Sequence, residues 1–157
     1  MAQARASKDR TAIMVSKVAA TVNLVDVRFL SFSATHDPIV AGGPMVAQFK
    51  FRARTKAEGA NDPTIIVLTE LLMEARPEGD ETGKLCCEIK AQVALTYHTK
   101  HEGEFDQAQL DAFGRTNGIF NAWPYWREFV QSSTTRMGLP ALVVPSFKMG
   151  QLDSPDK

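Results

Sequence analysis

The sequence predicts an α+β domain: a four-stranded antiparallel sheet, followed by two C-terminal helices on one side of it and preceded by a short N-terminal helix. Two observations carry this expectation. Between Val22 and Tyr97, apolar residues recur every second position in four separate blocks, the period of a strand with one buried face. From Asp106 onward the period changes to alternating steps of four and three, the period of one helix face. Strands first and helices afterwards is the order of an α+β fold rather than of an alternating α/β one.

The N-terminus, Met1 to Arg10, is small, polar and mildly basic, and reads as a mobile start. Thr11 to Ala20 carries Ile13, Met14, Lys17 and Val18 at helical spacing, enough for a short helix if it packs on something. The first strand is Val22 to Phe32, with Val25, Val27 and Phe29 alternating with Asp26 and Arg28. His36-Asp37-Pro38 and Ala41-Gly42-Gly43-Pro44 bracket Ile39-Val40 and mark a connection. Met45 to Arg54 is a second strand with Met45, Ala47, Phe49, Phe51 and Ala53 on one face and Gln48, Lys50, Arg52 and Arg54 on the other. One wet face and one dry face favours antiparallel pairing. Ile65 to Ala75 is apolar on both faces and reads as a central strand. Leu85 to Tyr97 alternates strictly: Leu85, Cys87, Ile89, Ala91, Val93, Leu95 and Tyr97 against Cys86, Glu88, Lys90 and Gln92.

Asp106 suits a helix N-cap, and Gly114 and Gly118 then interrupt the pattern, so a short helix gives way to a longer one. Ile119, Trp123, Trp126, Val130, Ser133 and Met137 share a face of that second helix. Pro124 belongs near its first turn or at a kink, and Gly138 suits the C′ position. Pro140 and Pro145 hold Leu142-Val143-Val144 extended. Gln151 to Lys157 is a loose polar tail.

At 157 residues the chain fits a single domain, with 44% hydrophobic and 23% charged residues, the range of soluble globular proteins. Eighteen Lys and Arg balance 18 Asp and Glu, which gives no electrostatic case for nucleic acid or an anionic membrane. No apolar run suits membrane insertion, no signal peptide is evident, and the adjacent Cys86 and Cys87 point to opposite strand faces, so a cytoplasmic protein is expected. Catalytic chemistry finds no support: there is no Gly-rich phosphate loop, no GxSxG elbow and no CxxC pair. His98 and His101, with Glu102 and Glu104 nearby, begin a polar loop, and two ligands do not make a metal site. No enzyme, metal or cofactor is expected. Phe120, Trp123, Tyr125, Trp126 and Phe129 fall too close together in one helix to enter one core, so some must cover an interface or groove.

The series Trp123-Pro124-Tyr125, Arg127-Glu128, Met137-Gly138-Leu139-Pro140 and Leu142-Val143-Val144-Pro145 resembles the SecB family of export chaperones, whose members carry a Phe-Pro-Tyr-Ala-Arg-Glu stretch, then Arg-Gly-x-Phe-Pro and a similar tail. Trp126 replaces the family's small residue, and Met137 intervenes between Arg136 and Gly138. The resemblance covers Val22 to Phe147 and implies an ATP-independent holdase, a homotetramer with apolar grooves for unfolded polypeptides. By match it places client-binding residues at Phe32, Ile39, Val40, Trp123, Tyr125, Trp126, Leu142, Val144 and Phe147. It places positions that affect assembly at Cys87, Ile89 and Ala91, and a contact to the translocation motor SecA at Glu88. The first strand lacks the family's acidic pair and the acidic C-terminal extension is missing, while the helical start at Thr11 to Ala20, with Leu110 to Ala112 and Trp123 to Glu128, is similar to the stand-alone SecB-like chaperones of toxin-antitoxin systems, which hold an antitoxin. The clients are therefore either exported precursors or one antitoxin. The alternative of another class is a small-ligand-binding or hydrolytic α+β domain, for which no polar centre is present.

Overall fold

The computed structural model describes residues 2–38, 43–58, 64–100, 105–140 and 142–148, with backbone alone for 2–8. The order is α1 (Ala2–Ala19), β1 (Val22–His36), β2 (Met45–Glu58), β3 (Thr64–Pro77), β4 (Cys87–Thr99), α2 (Gln107–Phe113), one stretch of π-helix at Gly114–Gly118, and α3 (Ile119–Arg136). The four strands form one antiparallel sheet in the order β1-β4-β3-β2. This is the expected architecture, with β3 in the interior as its two apolar faces require.

Most elements are longer than the sequence pattern indicates. Helix α1 begins at Ala2 instead of Thr11, because its alanines, Gln3, Arg5 and Lys8 are all good helix formers. It packs against α2 and buries Val18, while Ile13 stays exposed. β1 runs past Phe32 to His36, and β2 past Arg54 to Glu58. Their last residues are polar and carry no alternation, but each still has a backbone partner on the neighbouring strand. β4 starts at Cys87 and not Leu85. Cys86 and Cys87 both sit against Ala75: the Cys86 N–H donates to the Ala75 carbonyl, while Cys87 is its register partner. Both thiols are buried, with Cys86 Sγ 3.3 Å from Met45 Sδ, so the expected outward placement of Cys86 is corrected by this irregularity.

The core lies between the odd-numbered face of β2, β3 and β4 and the C-terminal helices. Ile65, Val67, Leu71 and Met73 from β3 and Ile89, Val93 and Leu95 from β4 are all buried there, under Phe113, Ile119, Trp126 and Val130. Asp106 caps α2 with a reciprocal box: its carboxylate accepts from the Gln109 N–H, and the Gln109 side chain accepts from the Asp106 N–H.

Gly114 and Gly118 explain how the helices reach the sheet. Both have right-handed helical backbone, so their role is closeness and not conformation. A Cβ on Gly114 would lie 1.9 Å from Thr55 Oγ1, and one on Gly118 would lie 2.5 Å from Val67 Cγ1. The π-helical stretch between them joins α2 to α3 with no break. Pro124 falls inside α3, in its second turn, close to the first turn near which the sequence places it. Helix α3 ends at Arg136, and Gly138, just past its C-cap Met137, has a φ of +71° that favours glycine. The Leu139 N–H reaches the Thr134 carbonyl and the Gly138 N–H reaches Thr135, which satisfies two terminal carbonyls.

Candidate functional site

Two clusters of aromatic side chains lie on the helix side of the sheet, one to either side of α3, apart from the buried Tyr97–Phe113 pair. Toward β2, Phe51, Trp123 and Phe147 pack edge to face or tilted, with ring centroids 5.4 to 5.8 Å apart. The Trp123 indole N–H donates to the Pro145 carbonyl at 2.8 Å. That bond anchors the extended segment 142–148, which turns Val144 inward and leaves Val143 exposed. Leu142 and Phe147 are half-buried beside it. This cluster is closed: the segment already fills the space around Trp123.

Toward β1, Phe29, Phe32 and Phe129 form a second cluster, with centroids 5.4 to 6.3 Å apart, and Phe129 continues to Trp126 at 6.2 Å. This cluster is open. Phe32 is 66% exposed although two aromatic rings flank it. A bulge makes the arrangement possible. Residues three apart on a regular strand face opposite sides, but the pairing shifts between Phe29 and Ser31, leaving Leu30 as the extra residue. Phe29 then lies opposite Val93 and Phe32 opposite Ala91, both on the helix side. A second shift between Leu24 and Asp26 does the same for Leu24 and Val27.

The residues marked out by sequence are thus divided. Phe32 lines the open cluster. Trp123, Leu142, Val144 and Phe147 belong to the closed one. Trp126 lies between them at 1% exposure, a core residue beneath α3 and not a groove wall. Its indole occupies the space that a sheet-facing position offers, on the same helix stripe as Trp123 and Val130. Tyr125 is exposed on the outer side of α3, as is Phe120, because residues one and two places from the buried stripe diverge from it. Ile39 and Val40 lie outside the described residues, as do His101, Glu102 and Glu104. Sequence reasoning missed Phe29 and Phe129 as site residues. Phe129 was legible as the residue three after Trp126; the union of Phe29 with Phe32 was not, since nothing in the sequence announces the bulge.

Cys87, Ile89 and Ala91 face the chain's own helices and are buried within a single copy. Any effect of theirs on assembly would have to pass through the packing of α3, as their side chains meet no free surface. Glu88 points to the bare side of the sheet, where Lys90 Nζ lies 2.8 Å from its carboxylate.

The titratable groups inside the core are quiet. Burial raises the Cys87 thiol from the usual 9.0 to about 11 and pushes Cys86 upward as well. Burial also raises Tyr97, against a hydrogen bond from the Asn121 amide to its hydroxyl. Among the described residues no group of three or more His, Cys, Asp or Glu could hold a metal ion, and no helix is long and apolar enough to cross a membrane. What this surface offers is aromatic area.

No protein-family model and no curated protein matches the sequence. Among solved structures, the chain is similar to a Mycobacterium tuberculosis SecB-like chaperone in complex with a ChAD peptide from the HigA1 antitoxin. The TM-score is 0.74 at 20% identity, over 87% of this chain and 97% of that one. A protein of unknown function from Streptococcus agalactiae overlaps with a TM-score of 0.42 at 12% identity, over 79% of this chain and 96% of that one, too distant to carry an argument. The first of these gives the present chain a SecB-like fold.

Proposed function

We propose that this SecB-like chain is an ATP-independent chaperone that holds an aggregation-prone polypeptide, with a dedicated antitoxin as its client. The observation that carries the reading is the open aromatic cluster of Phe29, Phe32 and Phe129. Large apolar side chains left in water beside a packed core are costly unless something covers them. A non-polar client segment would do so, and burial at ~25 cal/mol/Å² asks for area and little geometry. That suits a holdase.

Two features favour an antitoxin over export clients. The similar solved structure is a SecB-like chaperone in complex with an antitoxin peptide. In addition, Glu88, the position that would meet SecA, is engaged by Lys90, and Glu74 beside it is engaged by Lys50. A motor seeking acidic groups would have to break those pairs. Holding precursors for SecA is the second reading, favoured by the tail motif alone.

The chain also supports self-association. β1 is an edge strand, paired among the described residues with β4 alone, and Leu24, Val25 and Leu30 are exposed on it. Phe120 and Tyr125 add apolar area on the outer side of α3. A homo-oligomer, a tetramer by the family resemblance, would cover these surfaces.

The experiment is co-expression with the product of a neighbouring antitoxin-like gene, followed by purification and assay of antitoxin solubility. A soluble complex formed without ATP supports the reading. An antitoxin equally soluble without the chaperone removes the dedicated-client proposal, and recovery of many exported precursors in its place favours the second reading.

A further inference from the structure

The helices cover one face of the sheet and leave the other bare. On the bare face the strand register aligns residues in rows across all four strands. One row is Arg28, Ala94, Leu68, Arg54; the next is Ser31, Gln92, Glu70, Arg52; the third is Ser33, Lys90, Leu72, Lys50. The second and third rows, with Phe32, Ala91, Leu71 and Phe51 of the row between them, line a trough of about 740 Å³ that also takes in Leu72. The first and second rows continue it into a depression of about 190 Å³ between Leu30 and Leu68. Leu30 is the extra residue of the β1 bulge, and Leu68 stands on an interior strand, yet both are exposed.

Charge along this trough is uneven. Four cations border it, Lys50, Arg52, Arg54 and Lys90, against one carboxylate, Glu70. Glu70 engages Arg52, while Lys50 and Lys90 reach out of the trough to Glu74 and Glu88. Arg54 lies opposite Leu68 and forms no ion pair among the described residues. The chain as a whole is neutral, so this positive excess is local.

We infer that the bare sheet face is a second docking surface, separate from the aromatic cluster on the helix side, for an acidic polypeptide segment that also carries apolar side chains. Its apolar groups would settle on Leu30, Leu68 and Leu72, and its carboxylates would meet Arg54 first, with Lys50 and Lys90 reached by exchanging their present partners Glu74 and Glu88 for the segment's own carboxylates. A trough lined by leucines, with most of its cations already paired to carboxylates, suits such a segment better than a nucleic acid, whose regular run of phosphates asks for a row of free cations and whose bases ask for aromatic platforms. The sign of this surface is the reverse of one built for a basic partner.

The test uses the full chain and three fluorescein-labelled probes: a short peptide alternating Glu and Leu, the same peptide with Lys for Glu, and a single-stranded oligonucleotide. The Glu-Leu peptide is expected to bind saturably, to weaken as salt rises, and to lose about tenfold in affinity in Arg54→Glu combined with Lys90→Glu, as loss and reversal of two exposed contacts imply. It is expected to bind unchanged to Phe129→Ala, a change in the helix-side cluster at a residue that lines neither depression, which separates this surface from the helix-side site. Circular dichroism confirms that the charge-reversed variant is folded. Equal binding of the Lys-Leu peptide, tighter binding of the oligonucleotide, indifference to the charge reversal, or loss of binding in Phe129→Ala would overturn the inference.

Discussion

Trp126 and Phe32 are both large aromatics on the helix side of the sheet, and their exposures, 1% and 66%, set their different roles. Trp126→Ala removes a fully buried indole and is expected to cost about 3–5 kcal/mol of stability. Chemical denaturation measures it directly. Phe32→Ala removes a ring that is mostly in water, so its effect on stability should stay within about 1 kcal/mol. The buried thiols add a pH signature. Cys87 holds its proton more firmly in the folded chain than in the unfolded one, so folding favours the protonated thiol. Below the usual thiol value of 9.0 both states are protonated and nothing changes; as pH climbs from there to about 11, the unfolded chain releases its proton first and stability is lost. The urea midpoint should therefore fall across that range, and fall less steeply in Cys87→Ala.

At the level of elements, contact between the helices and the sheet depends on the two glycines. Gly118→Ala would gain helix propensity of about 1 kcal/mol but would drive a methyl against the buried Val67, and overpacking of about 1–3 kcal/mol should win. A lowered melting temperature checks this; a raised one would mean that the helix can lift away freely. Ile89→Lys places an unpaired charge on the covered face of β4 and should unfold the chain rather than release a folded smaller species; light scattering with circular dichroism distinguishes the two. The strands were readable because strict alternation over Met45 to Ala53 and Cys87 to Tyr97 leaves only one face to bury. Their ends were not, since polar residues such as Lys56, paired with Ile66, add backbone bonds without adding pattern. The buried stripe of α3 was readable from Ile119 to Ser133. The open cluster was not, because a one-residue bulge at Leu30 decides on which side Phe32 lies, and bulges leave no periodic trace.

For the molecule as a whole, one side of the sheet is packed against helices and two kinds of surface are left uncovered: an aromatic patch at the β1 edge and a bare sheet face with an uneven charge. The first is the proposed client site and, with Leu24 and Val25, borders the edge through which copies would associate. Scattering should give a mass well above that of the 17.3 kDa chain, and Val25→Lys should lower it with the fold retained. The most direct test of chaperone action is suppression of aggregation of a chemically unfolded protein, without ATP, by the wild-type chain and by Phe32→Ala. The account predicts suppression by the wild type and a clear loss in the variant at an unchanged melting temperature. No suppression by the wild type at excess, or equal suppression by both, would contradict it.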